Sequence, residues 1–161
     1  MDETFLAEYF DTIERAARSL RSWSDERAAE PLREGGWSAK EVLGHLVDSA
    51  TNNHGRFVRA SHQEALVFAG YDPDAWVEHQ GYRDADWLDL VELFERLNRH
   101  LCAVVATLPS ETLTRSRTGH NLHEIAWQSV SADEPVTLEW FVRDYLGHLQ
   151  HHLAALGLED G

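Results

Sequence analysis

Apolar residues recur at helical spacing, three or four apart, in four stretches of the chain. The first stripe is Leu6, Tyr9, Phe10, Ile13, Ala16, Ala17 and Leu20, with Asp, Glu and Arg on the opposite face. A loop through Pro31 to Gly35-Gly36 is expected to follow. The second stretch opens on Ser38-Ala39-Lys40-Glu41. This is a capping-box sequence, in which the Ser hydroxyl and the Glu carboxylate satisfy backbone N–H groups reciprocally. It runs through Val42, Leu46 and Ser49 towards Phe57. An irregular segment with Gly70, Pro73 and Gly81 separates it from the third stripe, Leu88, Val91, Phe94, Leu97, Leu101, Val104 and Leu108, which stops before Pro109. The stretch from Ser110 to Pro135 is rich in Thr, Ser, Gly and Asp and reads mostly as loop. Thr137 is the expected N-cap of a last helix carrying Phe141, Tyr145, His148, Leu149, His152 and Leu156, with Gly157 as its stop.

No strand-like alternation of any length, internal repeat or low-complexity tract interrupts this pattern. Four amphipathic helices in one chain are best buried as a bundle, so the expected fold is all-α, one four-helix domain spanning residues 1–161. The second and third connections each look about 25 residues long, and loops of that length are uncommon unless functional. They are expected to fold over one end of the bundle.

Charge narrows the partners. The chain has 28 Asp and Glu against 14 Lys and Arg, a formal charge of -14. Nucleic-acid binding rests on cations displacing counterions from phosphates, and anionic membranes need the same, so neither partner is expected. Lys40 is the only lysine, and no pattern around it points to chemistry. Cys102 is the only cysteine; set among Leu101, Ala103, Val104 and Val105 it reads as a buried, inert thiol, and a cysteine-based zinc site is excluded. The acidic start Met1-Asp2-Glu3-Thr4 lacks the pattern of a signal peptide, and no apolar run could span a bilayer, so a cytoplasmic location is expected.

Ten histidines stand out. His54, His62, His79, His100, His120 and His123 fall in loops or on polar faces and read as solvated or structural. His148 and His152 are four apart on the apolar stripe of the last helix, where two imidazoles can converge on one ion. His151 shares a face with Asp144, Gly147 and Ala155, which leaves it as a flanking residue. A buried hydrogen-bonded pair is the alternative for an H-x-x-x-H spacing. His45, among Val42, Leu46 and Ser49, should also point inward. Three buried imidazoles are costly without a common purpose, and a shared divalent metal satisfies one nitrogen of each. Three neutral nitrogen ligands suit zinc or nickel first, with iron, cobalt or manganese also compatible, and they leave a coordination position open for water or substrate.

The run Gly36-Trp37-Ser38, Glu41-Val42-Leu43-Gly44-His45-Leu46-Val47-Asp48-Ser49, Asn52 and Arg56-Phe57 resembles the first ligand helix of the DinB/YfiT-like superfamily. Tyr145-Leu146-Gly147-His148-Leu149-Gln150-His151-His152 resembles its second ligand motif, and Tyr71-Asp72-Pro73-Asp74-Ala75-Trp76 is similar to the aromatic loop of YfiT-type members. The likeness covers roughly residues 4–156. Ala50 and Ala155 stand where YfiT-like proteins usually carry further histidines. The resemblance implies a four-helix bundle of unusual helix order, metal ligands His45, His148 and His152, and often a homodimer. It also implies, as the leading expectation, transfer of a low-molecular-weight thiol such as bacillithiol or mycothiol to a small electrophile, with metal-dependent hydrolysis as the alternative.

For thiol transfer, the metal would hold the cofactor as thiolate, and Arg56 is a candidate for recognising an anionic thiol, with a surface ion pair as the competing account. Asp48 and Asn52, one and two turns after His45, could orient ligands or water, or be solvated. For hydrolysis with metal-bound water, Asp48 or His151 would be the general base. A stress-related bundle with a structural metal is the non-enzymatic alternative.

Overall fold

The computed structural model describes residues 1–158. Its helices are α1 (Glu3–Leu20), α2 (Asp25–Ala29), α3 (Ala39–Ala60), α4 (Pro73–Gln80), α5 (Trp87–Thr107), α6 (Ser110–Thr114), α7 (Leu122–Ile125) and α8 (Leu138–Ala155), with a 3₁₀ turn at Tyr82–Asp84. Among the described residues there is no β-strand, only isolated bridges at Pro31 and Ser38, Leu66 and His120, and Arg117 and Val136.

Local chemistry sets the helix ends. Ser38 and Glu41 form both halves of the capping box at α3. Thr137 Oγ1 accepts from the Trp140 N–H at the start of α8, and Gly157, in the left-handed region at φ 74°, follows its end. The connections are less irregular than their composition implies. Asp72 caps α4, Pro73 begins it, and Gly81 ends it at φ 67°. Short helices α2, α6 and α7 likewise occupy segments read as loop.

Helices α1, α3, α5 and α8 form the bundle. Both α1 and α3 pack against α5 and α8, so the first two long helices face each other across a diagonal. The links 21–38 and 108–137 must therefore cross the bundle, which accounts for their length. Along α3 every residue from Ala39 to Ala50 is buried, making it the central helix. The buried face of α5 is Trp87, Leu90, Val91, Phe94, Asn98, Leu101, Cys102 and Val105. This corrects the expected stripe: Leu88 is exposed, because Asn98 and Cys102 turn inward in place of an all-apolar repeat. Asn98 is satisfied there by the Tyr145 hydroxyl, 2.5 Å away, and by the Phe94 carbonyl, 2.9 Å away. Cys102 is buried and its thiol is pushed up by desolvation, consistent with an inert role.

Two buried cations brace the connections, Lys40 against the bundle and Arg117 within its own segment. Lys40 donates to Asp25 at 2.8 Å and to the Ala85 carbonyl at 2.7 Å, joining α2, α3 and the lead-in to α5. Arg117 donates to the Thr112 and Arg115 carbonyls. The two long connections also clasp each other, since the Leu66 N–H donates to the Gly119 carbonyl and Asn121 exchanges two hydrogen bonds with the Phe68 backbone. His120 is buried in that clasp, with Nε2 2.8 Å from the Glu134 carbonyl and Nδ1 accepting from the Leu122 N–H, a structural role.

Gly44 permits one close approach. A Cβ there would lie 2.1 Å from the ring of Tyr82. Gly44→Ala should lower stability despite the helix-propensity gain of up to about 1 kcal/mol. Overpacking typically costs about 1–3 kcal/mol, and the midpoint of urea unfolding reads the balance.

Candidate functional site

The structure brings His45, His148 and His152 together. Adjacent packing of α3 and α8 aligns the two helix faces, and one nitrogen from each ring lies within 4.8 Å of the others. The His45 and His148 Nε2 atoms are 3.1 Å apart. Ring centroids stand 5.1 Å apart for His45 and His148, 4.8 Å for His45 and His152, and 4.6 Å for His148 and His152. A tetrahedral ion with bonds of 2.0–2.1 Å sets its nitrogens about 3.3 Å apart, so this donor set fits one with small adjustment.

The electrostatics point the same way. Burial pushes the His45 imidazole down to about 4. His148 falls to about 3 and His152 to about 4, by burial first and then by the neighbouring imidazoles. All three are therefore neutral near pH 7, with a lone pair free on each ring. His45 Nδ1 is buried with no hydrogen-bond partner, and His148 Nδ1 lies 3.5 Å from Ser49 Oγ.

The cluster forms one end of a cleft of about 630 Å³, within the range of small-molecule sites. Its walls come from the long connections as much as from the helices. Tyr71 flanks it from the link before α4, Asp74 from the first turn of α4, and Trp127 from the link before α8. The Trp37 ring lies 5.3 Å from that of His45. Trp127 is half exposed over Gly147, and its N–H and that of Gln128 donate to the buried Asp144 carboxylate at 3.1 and 2.7 Å.

The other candidates separate. His151 is exposed at the cleft, its ring 5.6 Å from Trp127 and 5.3 Å from His152, outside the nitrogen cluster. Asp48 and Asn52 do not line the cleft. Asp48 is buried and accepts from the Tyr82 hydroxyl at 2.6 Å and from Gln80 at 3.1 Å, while desolvation raises its carboxyl above the ordinary value. Asn52 donates to the Asp48 carbonyl. Arg56 lies in the cleft wall, 4% exposed, so the surface ion pair does not form: it donates to Asn53 Oδ1 and the Ala69 carbonyl. Of the remaining histidines, His54 and His100 sit side by side on α3 and α5, while His62, His79 and His123 are exposed. Sequence reasoning passed over Asn53, Trp127 and Asp144. Only Asn53 left a signal, as a polar residue two turns after His45 on a buried face.

Residues 9–156 match the family model described as the DinB superfamily. The chain belongs to the DinB superfamily. Among curated proteins, this DinB chain is 29% identical over 137 residues to YfiT of Bacillus subtilis, covering 85% of the chain and 71% of YfiT. It is 28% identical over 160 residues to a Bacillus licheniformis protein, covering 95% and 84%. Both bear the name of a candidate metal-dependent hydrolase. The solved structure of B. subtilis YfiT superposes with a TM-score of 0.74 at 24% identity, covering 98% of this chain and 87% of that one. That likeness is one of fold, and YfiT is described as having an unusual four-helix bundle topology.

The depressed imidazole values set a pH dependence for the metal-free protein. The unfolded chain takes up protons near 6.5, whereas the folded one resists until about 4 or below. The histidine contribution is thus fully present above 6.5 and is lost as pH falls through that window. Thermal melts in chelator should show Tm dropping between these values, with a shallower slope when His45, His148 and His152 are all replaced by Gln.

Proposed function

We propose that the protein is a metal-dependent enzyme acting on small molecules, with one divalent transition metal held by His45, His148 and His152. The observation that carries this is the meeting of three neutral imidazole nitrogens at the end of a small-molecule-sized cleft. A bound divalent ion there would act as a Lewis acid, lowering the pKa of a water or thiol. Zinc and nickel suit the all-nitrogen donor set best.

Hydrolysis is the first reading, supported by the names of the relatives and by His151, an exposed imidazole that lines the cleft beside His152 and could serve as general base. Trp37 and Trp127 would shield an apolar part of the substrate from water. Transfer of a low-molecular-weight thiol to a small electrophile is the second reading, favoured by Arg56, whose cationic head suits an anionic co-substrate. A net charge of -14 disfavours nucleic acid as substrate for either reaction.

Elemental analysis tests the ligand set. The parent should bind one ion per chain, and His45→Ala and His148→Ala should weaken binding by more than roughly 100-fold, beyond the usual cost of losing an outer partner. His151→Ala should keep the metal; equal metal in the parent and His45→Ala would sink the assignment.

Turnover tests the chemistry. Metal-loaded protein is offered activated esters, amides and alkyl halides with and without a thiol such as cysteine. Turnover without thiol supports hydrolysis, a strict thiol requirement supports transfer, and none with either favours a metal-binding module. Under hydrolysis, His151→Ala should lower kcat by about 100-fold or more.

A further inference from the structure

On α3, His45, Ser49, Asn53 and Arg56 all line the cleft. The first and last are eleven residues apart, which returns to within about 20° of the same azimuth, so they share one face, and the Arg56 head reaches Asn53, one turn back towards the histidines. The cleft therefore has two poles on one helix face. The histidines mark one and the Arg56 guanidinium the other.

The second pole carries a charge without a counter-charge. Arg56 is buried, and a guanidinium stays protonated in proteins. Its protein acceptors are both neutral: Asn53 Oδ1 at 3.3 Å and the Ala69 carbonyl at 2.9 Å. No carboxylate among the described residues pairs with it. A buried charge in that state is costly unless another partner completes it. The acids that line the same cleft are otherwise placed. Asp144 is held by the Trp127 and Gln128 N–H groups, while Asp74 and Glu124 are exposed to solvent. Tyr71 closes one side, with the guanidinium carbon 6.0 Å from its ring centroid.

The position of Arg56 is fixed by a polar file that runs back towards the histidines. Asn53, which accepts from Arg56, donates through Nδ2 to the Ser49 carbonyl at 3.0 Å, and Ser49 Oγ lies 3.5 Å from His148 Nδ1. A forked donor held in this way matches a planar carboxylate or a phosphate better than a flexible ammonium would.

We infer that Arg56 is the anion-binding pole of the cleft, and that its substrate or co-substrate is a small molecule that carries an oxyanion besides its reacting group. This rests on the reading of the cleft as the active site, since only then does an anion held at Arg56 belong to a substrate. Carboxylate and phosphate share the recognising chemistry, and the probes tell them apart.

The test is binding, independent of turnover. Phenylacetate, phenyl phosphate and the uncharged phenylacetamide are titrated into the protein, with and without added zinc, by calorimetry and by tryptophan fluorescence. Trp37 and Trp127 line the cleft and report occupancy. At least one of the two anions should bind about tenfold or more tighter than the amide, with and without zinc, a preference that Arg56→Gln reduces to about threefold or less and Arg56→Lys leaves intermediate. Whichever anion shows the preference identifies the oxyanion. Equal binding of all three probes, or a preference that survives Arg56→Gln at equal metal content, would overturn the inference. If Arg56→Gln does not fold, the Arg56 Nε–H resonance of the parent decides, assigned from Arg56→Lys. It should shift with the preferred anion and not with the amide, and a resonance that fails to move counts against the proposal. A protein that binds metal and turns over substrate without this preference would retain the proposed function and lose only the anion pole.

Discussion

A helix enclosed on all sides has nowhere to leave a polar group, and α3 carries many. From Ala39 to Ala50 every side chain is out of solvent, including Lys40, Glu41, His45, Asp48 and Ser49. Each must be met by something from elsewhere in the chain, or its burial works against folding. Much of the structure around α3 can be understood as the supply of those partners. Asp25 and the Ala85 carbonyl meet Lys40; Ser38 and Arg83 meet Glu41; Gln80 and Tyr82 meet Asp48. The α8 histidines meet His45. The short elements α2 and α4 and the 3₁₀ turn bring most of these groups to the central helix, so segments that look like padding between long helices complete its hydrogen bonding.

This explains what could be read from the residues in order and what could not. The long helices declare themselves locally, through caps at Ser38 and Thr137 and a stop at Gly157, and their buried faces follow from spacing. The same phase brings His148 and His152 inward and leaves His151 outside, because four residues nearly close a helical turn. On α5 the phase was less legible, since Asn98 is buried by its bond to Tyr145, a partner distant in sequence, while Leu88 and Leu93 face solvent. The eight residues of α4 are too few to show a period, although Asp72-Pro73 and Gly81 mark its two ends. Arg56 was visible as a residue but not as a buried one. The Ala69 carbonyl and the Tyr71 ring that enclose it belong to a connection whose path no local pattern encodes.

The diagonal arrangement of the bundle gives the cleft its character. Because α3 and α8 are neighbours, ligand-bearing faces more than 100 residues apart lie side by side. The connection into α8 has to cross the bundle, and on the way it lays Trp127 over Gly147, where a side chain on α8 would collide with the indole. The connection leaving α3 clasps the same link through Leu66 and Asn121. Topology thus builds the cleft walls from two mutually braced segments, while the floor belongs to rigid helices. Relatives that keep the helices and vary these segments could keep the histidine cluster and change what enters beside it.

Lys40 has a consequence for how this protein meets other molecules. The chain has a single lysine, and its ammonium is withdrawn from solvent to hold Asp25 and the Ala85 carbonyl. The outer surface therefore presents no lysine amine to acylating agents, aldehydes or amine-coupling resins. Its cationic surface is arginine, whose charge does not titrate at any biological pH and which lysine acetylation cannot erase. Covalent chemistry that regulates or tags proteins through lysine has nothing to grip on the outside of this bundle.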